Sequence, residues 1–271
     1  MLYEFHYLAP RTRADLARAL EDHAEDGKYL AGGTDLLPNI RNGIMKPSWV
    51  IDGKKLPGAG DIRWSQAEGL VIGSAATIND ILRSRDARER YPLLCASAHE
   101  LASHQIRNRA TVAGNVANAS PCSDMAPALL CLDARAILSS AKGERIVSFS
   151  EFFAGVKKTV LRPGEWLERI EIPAASAGTR GAYRKLKRIA GHDLGIVGVL
   201  MAKGPMGVRF GVSSAAPTPV LVSSVAASDT PEQAAAKVLA AVSPISDVRG
   251  TKEYREHMIG VYVRRLLAEV K

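Results

Sequence analysis

Apolar residues recur with helical spacing in residues 12–24, TRADLARALEDHA, where Leu16, Ala19 and Leu20 share one face. Thr12 and Asp15 form a capping pair ahead of them, which predicts where that helix starts. The pattern then shortens. KYLAGG reads as a short buried strand, TDLLPNIRNG as a turn entering a helix that Gly43 closes, and WVIDGKKL as a second strand. Residues 1–55 are therefore expected to form a small αβ unit. GLVIGSAATINDILRS gives a strand, a turn and a helix, and YPLLCASAHELAS continues as a mostly apolar helix. A stretch rich in Gly, Ala, Ser and Asn runs from Asn108 to Ala136 and ends in MAPALLCLDARAIL, a helix followed by a strand. ERIVSFSEFF and EWLERIEIP both read as strands, and Pro173 followed by AASAGT marks a seam.

Beyond the seam the rhythm changes. AYRKLKRI, GIVGVLMAK and GVRFGVSSAA are three successive strand candidates separated by turn residues, which predicts an antiparallel sheet. TPEQAAAKVLAAV and TKEYREHMIGVYVRRLLAEV follow as two amphipathic helices. There is no internal repeat and no low-complexity segment. The order predicts an α+β protein of two small αβ units followed by a C-terminal sheet covered by helices.

With 271 residues, 46% of them hydrophobic and 24% charged, the chain can bury a large core. No apolar run approaches the roughly 18–20 residues of a membrane span. The start, MLYEFHYLAP, lacks the basic and apolar regions of a secretory signal. The three cysteines, Cys95, Cys122 and Cys131, form no CxxC pair; they are read as reduced thiols of a cytoplasmic protein, with no metal site. A net charge of +8 makes nucleic acid the first partner to consider. Yet the basic residues are scattered, the densest group, RGAYRKLKR, alternates with apolar residues, and no zinc-finger, helix-turn-helix or RNP pattern occurs. A basic face toward an anionic cofactor or an acidic partner subunit fits as well.

Two stretches could carry chemistry. In AGGTD, adjacent glycines free the backbone N–H groups of side-chain obstruction just before a helix, so they could converge on phosphate oxygens. The same residues also make an ordinary strand-to-helix turn, and neither GxGxxG nor a P-loop is present. The second stretch, QIRNRATVAGNVANASPCSDMAPA (Gln105 to Ala128), again combines a hydroxyl with small residues and then places Asp124 ahead of an apolar helix. Asp124 could be a helix N-terminal charge and Asn115 a turn residue; alternatively the two loops, some 75 residues apart, grip the ends of one extended anion.

AGGTDLLP together with QIRNRATVAGN and SPCSD, and later YRKLKR, resembles the FAD-binding (medium) subunit of molybdenum hydroxylases. That family includes the flavin parts of xanthine dehydrogenase, aerobic carbon monoxide dehydrogenase and 4-hydroxybenzoyl-CoA reductase. The resemblance spans essentially the whole chain. It implies a vanillyl-alcohol-oxidase-type FAD-binding fold of two αβ subdomains (about 1–55 and 56–173, together the domain 1–173), then a C-terminal domain, 174–271, like that of the carbon monoxide dehydrogenase flavoprotein. It also implies an oxidoreductase subunit. FAD would sit in this chain, with a molybdopterin cofactor on a large partner subunit and [2Fe-2S] clusters on a small one, the whole a dimer of heterotrimers. Electrons would pass between those clusters and an external acceptor such as NAD or a quinone, without nucleic acid. The alternative function is a non-catalytic basic protein that binds nucleotide or RNA. A self-contained flavin oxidase is disfavoured, because 271 residues leave little room for a substrate domain.

The resemblance assigns residues as well. Leu30, Ala31, Gly32, Gly33, Thr34, Asp35 and Leu36 would wrap the diphosphate with backbone amides. Thr111, Val112, Ala113, Gly114 and Asn115, with Ser120, would supply a second phosphate and ribityl contact, and Asp124 would accept hydrogen bonds from ribityl hydroxyls. Leu101 and Ile106 would lie by the adenine; Leu167 and Lys187 would come from the other domain to the isoalloxazine edge. Ala113 stands where the family often has glycine, which is costly only if the position needs positive φ. The cysteine-rich insert of the reductase branch is missing, so no [4Fe-4S] cluster is expected. His99 and His104 are read as structural or surface residues, Cys122 as a small buried filler, and His192 with Asp193 as a polar turn or the outer lining of the flavin pocket.

Overall fold

The computed structural model describes residues 3–270. Near the start, three parallel strands are ordered His6–Leu8, Trp49–Asp52, Gly27–Leu30. The helix Arg13–Asp22 covers them with Leu16, Ala17 and Leu20, and Thr12 caps it by accepting the Asp15 N–H. A second, antiparallel sheet has the order Ile62–Ser65, Gly69–Gly73, Trp166–Ile172, Arg135–Ser140, Gly143–Ser148. Its middle strand is shifted in register between Leu167 and Arg169.

The third sheet is antiparallel and follows chain order: Arg180–Leu186, Val197–Gly204, Gly207–Ser213, Val220–Val222. Its strand Val197–Gly204 is apolar on both faces because both are covered. Val197, Val199 and Met201 pack against the helices Pro231–Ala240 and Lys252–Glu269, whereas Leu200 and Ala202 join the main core. That main core contains the helices Pro92–Glu100 and Met125–Cys131, and every residue of the second is buried. A helix apolar all round has to lie between layers, and this one packs between the helix Pro92–Glu100 and the C-terminal sheet.

One strand expectation fails. Within SFSEFF, the residues Phe149–Phe152 form one helical turn, capped by Ser148 accepting the Ser150 N–H, before the short strand Phe153–Gly155. Phe149 and Phe152, three apart, both bury in the main core, a period that alternation along a strand would not give. Among the described residues no helix is long and apolar enough to cross a membrane.

Candidate functional site

The loop after the strand Gly27–Leu30 and the loop before the helix Val112–Ala117 touch. A Cβ at Gly32 would lie 2.1 Å from the Arg109 carbonyl oxygen, and one at Gly114 would lie 3.3 Å from the Ala31 methyl. Gly32 is therefore required by a neighbouring backbone, while Gly33 is required by its own conformation, with φ +76. Among the described residues, the backbone N–H groups of Gly32, Gly33, Thr34, Asp35 and Leu36 have no acceptor in the protein. Five successive donors without partners are rare in a folded chain unless solvent or a ligand takes them. The second stretch, Thr111 and the first turn of the helix it caps, offers less: Val112 N–H goes to the Ala76 carbonyl, Gly114 N–H to the Thr111 hydroxyl and Asn115 N–H to the Thr111 carbonyl.

Together these loops wall a cleft of about 1130 Å³. Ala31, Gly32, Gly33, Thr34, Asp35, Leu36, Leu101, Ile106, Thr111, Ala113, Gly114, Asn115, Ser120, Asp124 and Leu167 all line it. Leu101 and Ala102 are presented to the cleft by Arg107, whose Nη1 donates to the carbonyls of His99, Leu101 and Ala102 at 2.9, 2.9 and 3.2 Å. Ser123 ties the second loop to the buried helix: its hydroxyl donates to Asn115 Oδ1 at 2.6 Å and accepts the Ala126 N–H. The Asp124 carboxylate, by contrast, makes no capping bond to the helix.

Asp124 is committed elsewhere. Tyr183 and Lys185 lie two apart on the strand Arg180–Leu186, so both side chains leave the same face. The Tyr183 hydroxyl donates to Asp124 Oδ1 at 3.0 Å, and Lys185 Nζ donates to Oδ2 at 2.8 Å and to the Glu100 carbonyl at 3.1 Å. Burial pushes the Asp124 carboxyl above its usual range, and Lys185 and Tyr183 oppose that by favouring the charged form. Burial also drives the Tyr183 phenol well above its usual value, and the Asp124 charge adds to the shift.

Four sequence expectations need correction. Lys187 does not line the cleft; its Nζ donates to the Glu100 carboxylate at 2.9 Å, and Lys185 is the lysine in the wall. Leu167 reaches the cleft from the five-stranded sheet, not from the C-terminal one. Leu30 and Val112 face away from it, because alternation and helical phase turn them into the core beside Ile40 and Val50 and against the main cluster respectively. Cys122 is half-exposed in the cleft, with Arg249 Nη1 at 3.5 Å from its sulfur, and so is not a buried filler. The departure at Ala113 is harmless, since its backbone is helical.

His99 and His104 are exposed and do not line the cleft, while His192 and Asp193 do. Asp193 is held by Arg188, with both oxygens accepting from its guanidinium at 3.1 Å, and this pairing lowers its carboxyl to about 2. Deeper in, the buried Arg255 holds the Ser214 carbonyl at 2.8 Å and Asp247 at 2.7 Å. Ser214 lines the cleft with a buried hydroxyl that has no partner among the described residues. Tyr183, Lys185 and Arg107 were missed by sequence reasoning; the alternation in AYRKLKR held the signal for the first two.

The arrangement suits an elongated dinucleotide: free amides for a diphosphate, apolar Leu101 and Ile106 for one ring system, and a carboxylate, a lysine and an unpartnered serine hydroxyl further along. Comparisons with known proteins agree. A family described as "FAD binding domain in molybdopterin dehydrogenase" matches residues 3–175, and one described as "CO dehydrogenase flavoprotein C-terminal domain" matches 181–270. The chain is 31% identical to the carbon monoxide dehydrogenase medium chain of Hydrogenophaga pseudoflava, covering 97% of this chain and 96% of that one. It is 32% identical to the corresponding chain of Afipia carboxidovorans, covering 98% and 96%. The solved carbon monoxide dehydrogenase from H. pseudoflava superposes with a TM-score of 0.91 over 99% of this chain and 97% of that chain, at 31% identity. The chain belongs to the family of FAD-binding medium subunits of molybdenum hydroxylases.

Proposed function

We propose that this chain is the FAD-carrying electron-transfer subunit of a cytoplasmic molybdenum hydroxylase or dehydrogenase complex, passing electrons between [2Fe-2S] clusters of a partner and an external acceptor such as NAD or a quinone. The observation that carries the reading is the run of free amides from Gly32 to Leu36, at the meeting point of two loops distant in sequence. Those amides would hold the diphosphate, which needs many donors converging without Cβ atoms in the way. Leu101 and Ile106 would cover the adenine, and the helix start Thr111–Asn115 with Ser120 would flank the phosphate and ribityl chain. Each Asp124 oxygen keeps a lone pair after binding Tyr183 or Lys185, so the carboxylate can still accept from ribityl hydroxyls. Lys185, in the cleft wall, would take the place expected of Lys187, where its ammonium would favour negative charge on the ring, and Leu167 would lie against the ring. Bound there, FAD supplies the redox chemistry, taking up and releasing electrons.

On this reading residues 1–173 form the FAD-binding domain and 174–271 the C-terminal flavoprotein domain. The relatives' names as medium chains imply a large and a small companion, and one solved relative is a Cu,Mo-CO dehydrogenase. We place a molybdopterin cofactor and the [2Fe-2S] clusters on such companions, in a dimer of heterotrimers. The purified chain is expected to be yellow, to carry one FAD and to bleach with dithionite. A colourless protein that retains RNA would overturn the reading.

A further inference from the structure

Resting on the FAD reading above, we infer that Lys54 is a positioning residue that locks the Ala31–Gly32 peptide in the orientation the diphosphate requires. Lys54 lies outside the cleft, in the turn after the strand Trp49–Asp52. Its ammonium donates to the Ala31 carbonyl oxygen at 3.0 Å. The ammonium is itself held: it pairs with Asp52 Oδ1 at 2.8 Å, and the Tyr7 hydroxyl donates to Asp52 Oδ2 at 2.6 Å. These groups act on a nearly buried carboxylate, which the Lys54 and Tyr7 hydrogen bonds keep below its usual range against the upward push of burial.

In a planar trans peptide the C=O of one residue and the N–H of the next point in opposite directions. Lys54 draws the Ala31 oxygen to its own side, so the Gly32 N–H must face the other way. That N–H is the first of the five free amides. Residues flanking glycine flip peptides readily, since glycine tolerates both signs of φ. A flip at Ala31–Gly32 would take away one donor and turn a carbonyl oxygen toward a dianionic diphosphate. Only Lys54 bonds to the Ala31 oxygen among the described residues, so only Lys54 opposes the flip by a side-chain contact. Packing of Gly32 against the Arg109 carbonyl fixes where the loop lies, whereas Lys54 fixes which way its peptide faces.

The test compares the full-length chain with Lys54→Met and Tyr7→Phe. FAD affinity is measured by quenching of flavin fluorescence, and bound FAD is examined by ³¹P NMR. In Lys54→Met the Kd for FAD should rise about tenfold, the worth of one charge-assisted hydrogen bond. The ³¹P resonances should move while the visible flavin spectrum stays as in the wild type; the apoprotein should melt lower, because Asp52 loses its counterion. Tyr7→Phe, a change at a half-exposed side chain, should raise Kd about threefold by loosening Asp52. Unchanged Kd and ³¹P shifts in both variants would overturn the role of Lys54. So would a weakened Lys54→Met whose ³¹P shifts match the wild type, for that is a fold defect. If the wild-type chain itself fails to bind FAD, the reading of the cleft is what has failed.

Discussion

Asp124 and Cys122, two positions apart, show how much a residue's surroundings change its meaning. Asp124 is 7% exposed and anchors Tyr183 and Lys185, yet it also lines the cleft. Asp124→Ala should lose most of its FAD after gel filtration, as read from the flavin-to-protein absorbance ratio; an unchanged ratio would count against its contact with the ribityl chain. Burial pushes the thiols of Cys95 to about 11 and Cys131 to about 12, so neither forms thiolate near pH 8. Cys122 instead opens on the cleft. Iodoacetamide at about pH 8 should therefore alkylate Cys122 first, and added FAD should slow that reaction. Peptide mass spectrometry would show both effects. Glycines carried the clearest sequence signal, but part of its cause was hidden. AGG suggested room for an anion, whereas Gly32 is small because Arg109, far along the chain, occupies the space a Cβ would need.

Among the elements, those with strong periodicity were legible: the helices Arg13–Asp22, Pro231–Ala240 and Lys252–Glu269, and the strands Val197–Gly204 and Gly207–Ser213. Short elements fixed by distant partners were not. His6–Leu8 is a strand only because Trp49–Ile51 lies beside it, and Phe149–Phe152 turns into a helix because two phenylalanines share one core. The choice of Lys187 over Lys185 failed for a related reason. Both lie on the same alternation, and the strand's end at Leu186 separates the cleft from the Glu100 carboxylate. The contact between the two loops gives a test at this scale. Gly32→Ala should lower the melting temperature and abolish FAD binding together, because its methyl would fall 2.1 Å from backbone that cannot retreat without parting the loops. A stable Gly32→Ala variant with full FAD content would show that the loops are free to separate.

At the scale of the molecule, the C-terminal sheet is joined to the rest by a shared core and by one buried ion pair. Leu200 and Ala202 pack in the same cluster as Leu129 and Leu94, and the Lys185 side chain, 2% exposed, crosses to Asp124. Removing one partner of a buried pair leaves a charge without its counterion, which costs about 3–5 kcal/mol, whereas replacing both with apolar groups is often nearly neutral. Lys185→Met alone should lower stability in urea unfolding by about 3 kcal/mol, and Lys185→Met combined with Asp124→Leu should recover most of it. Additive losses in the double variant would mean that the two side chains act independently. The pair explains why the cleft was only half visible from sequence: its carboxylate lies in the SPCSD motif, and its cation comes from a strand 61 residues later.

The central claim is that the amides of Gly32 to Leu36 receive the diphosphate of FAD. It is tested most directly by following the backbone amide resonances of a ¹⁵N-labelled chain during titration with FAD. The account predicts that Gly32, Gly33, Thr34, Asp35 and Leu36 shift most strongly, and that ADP, which carries the diphosphate without the flavin, shifts the same five. Saturation with FAD that leaves those resonances where they began would contradict it.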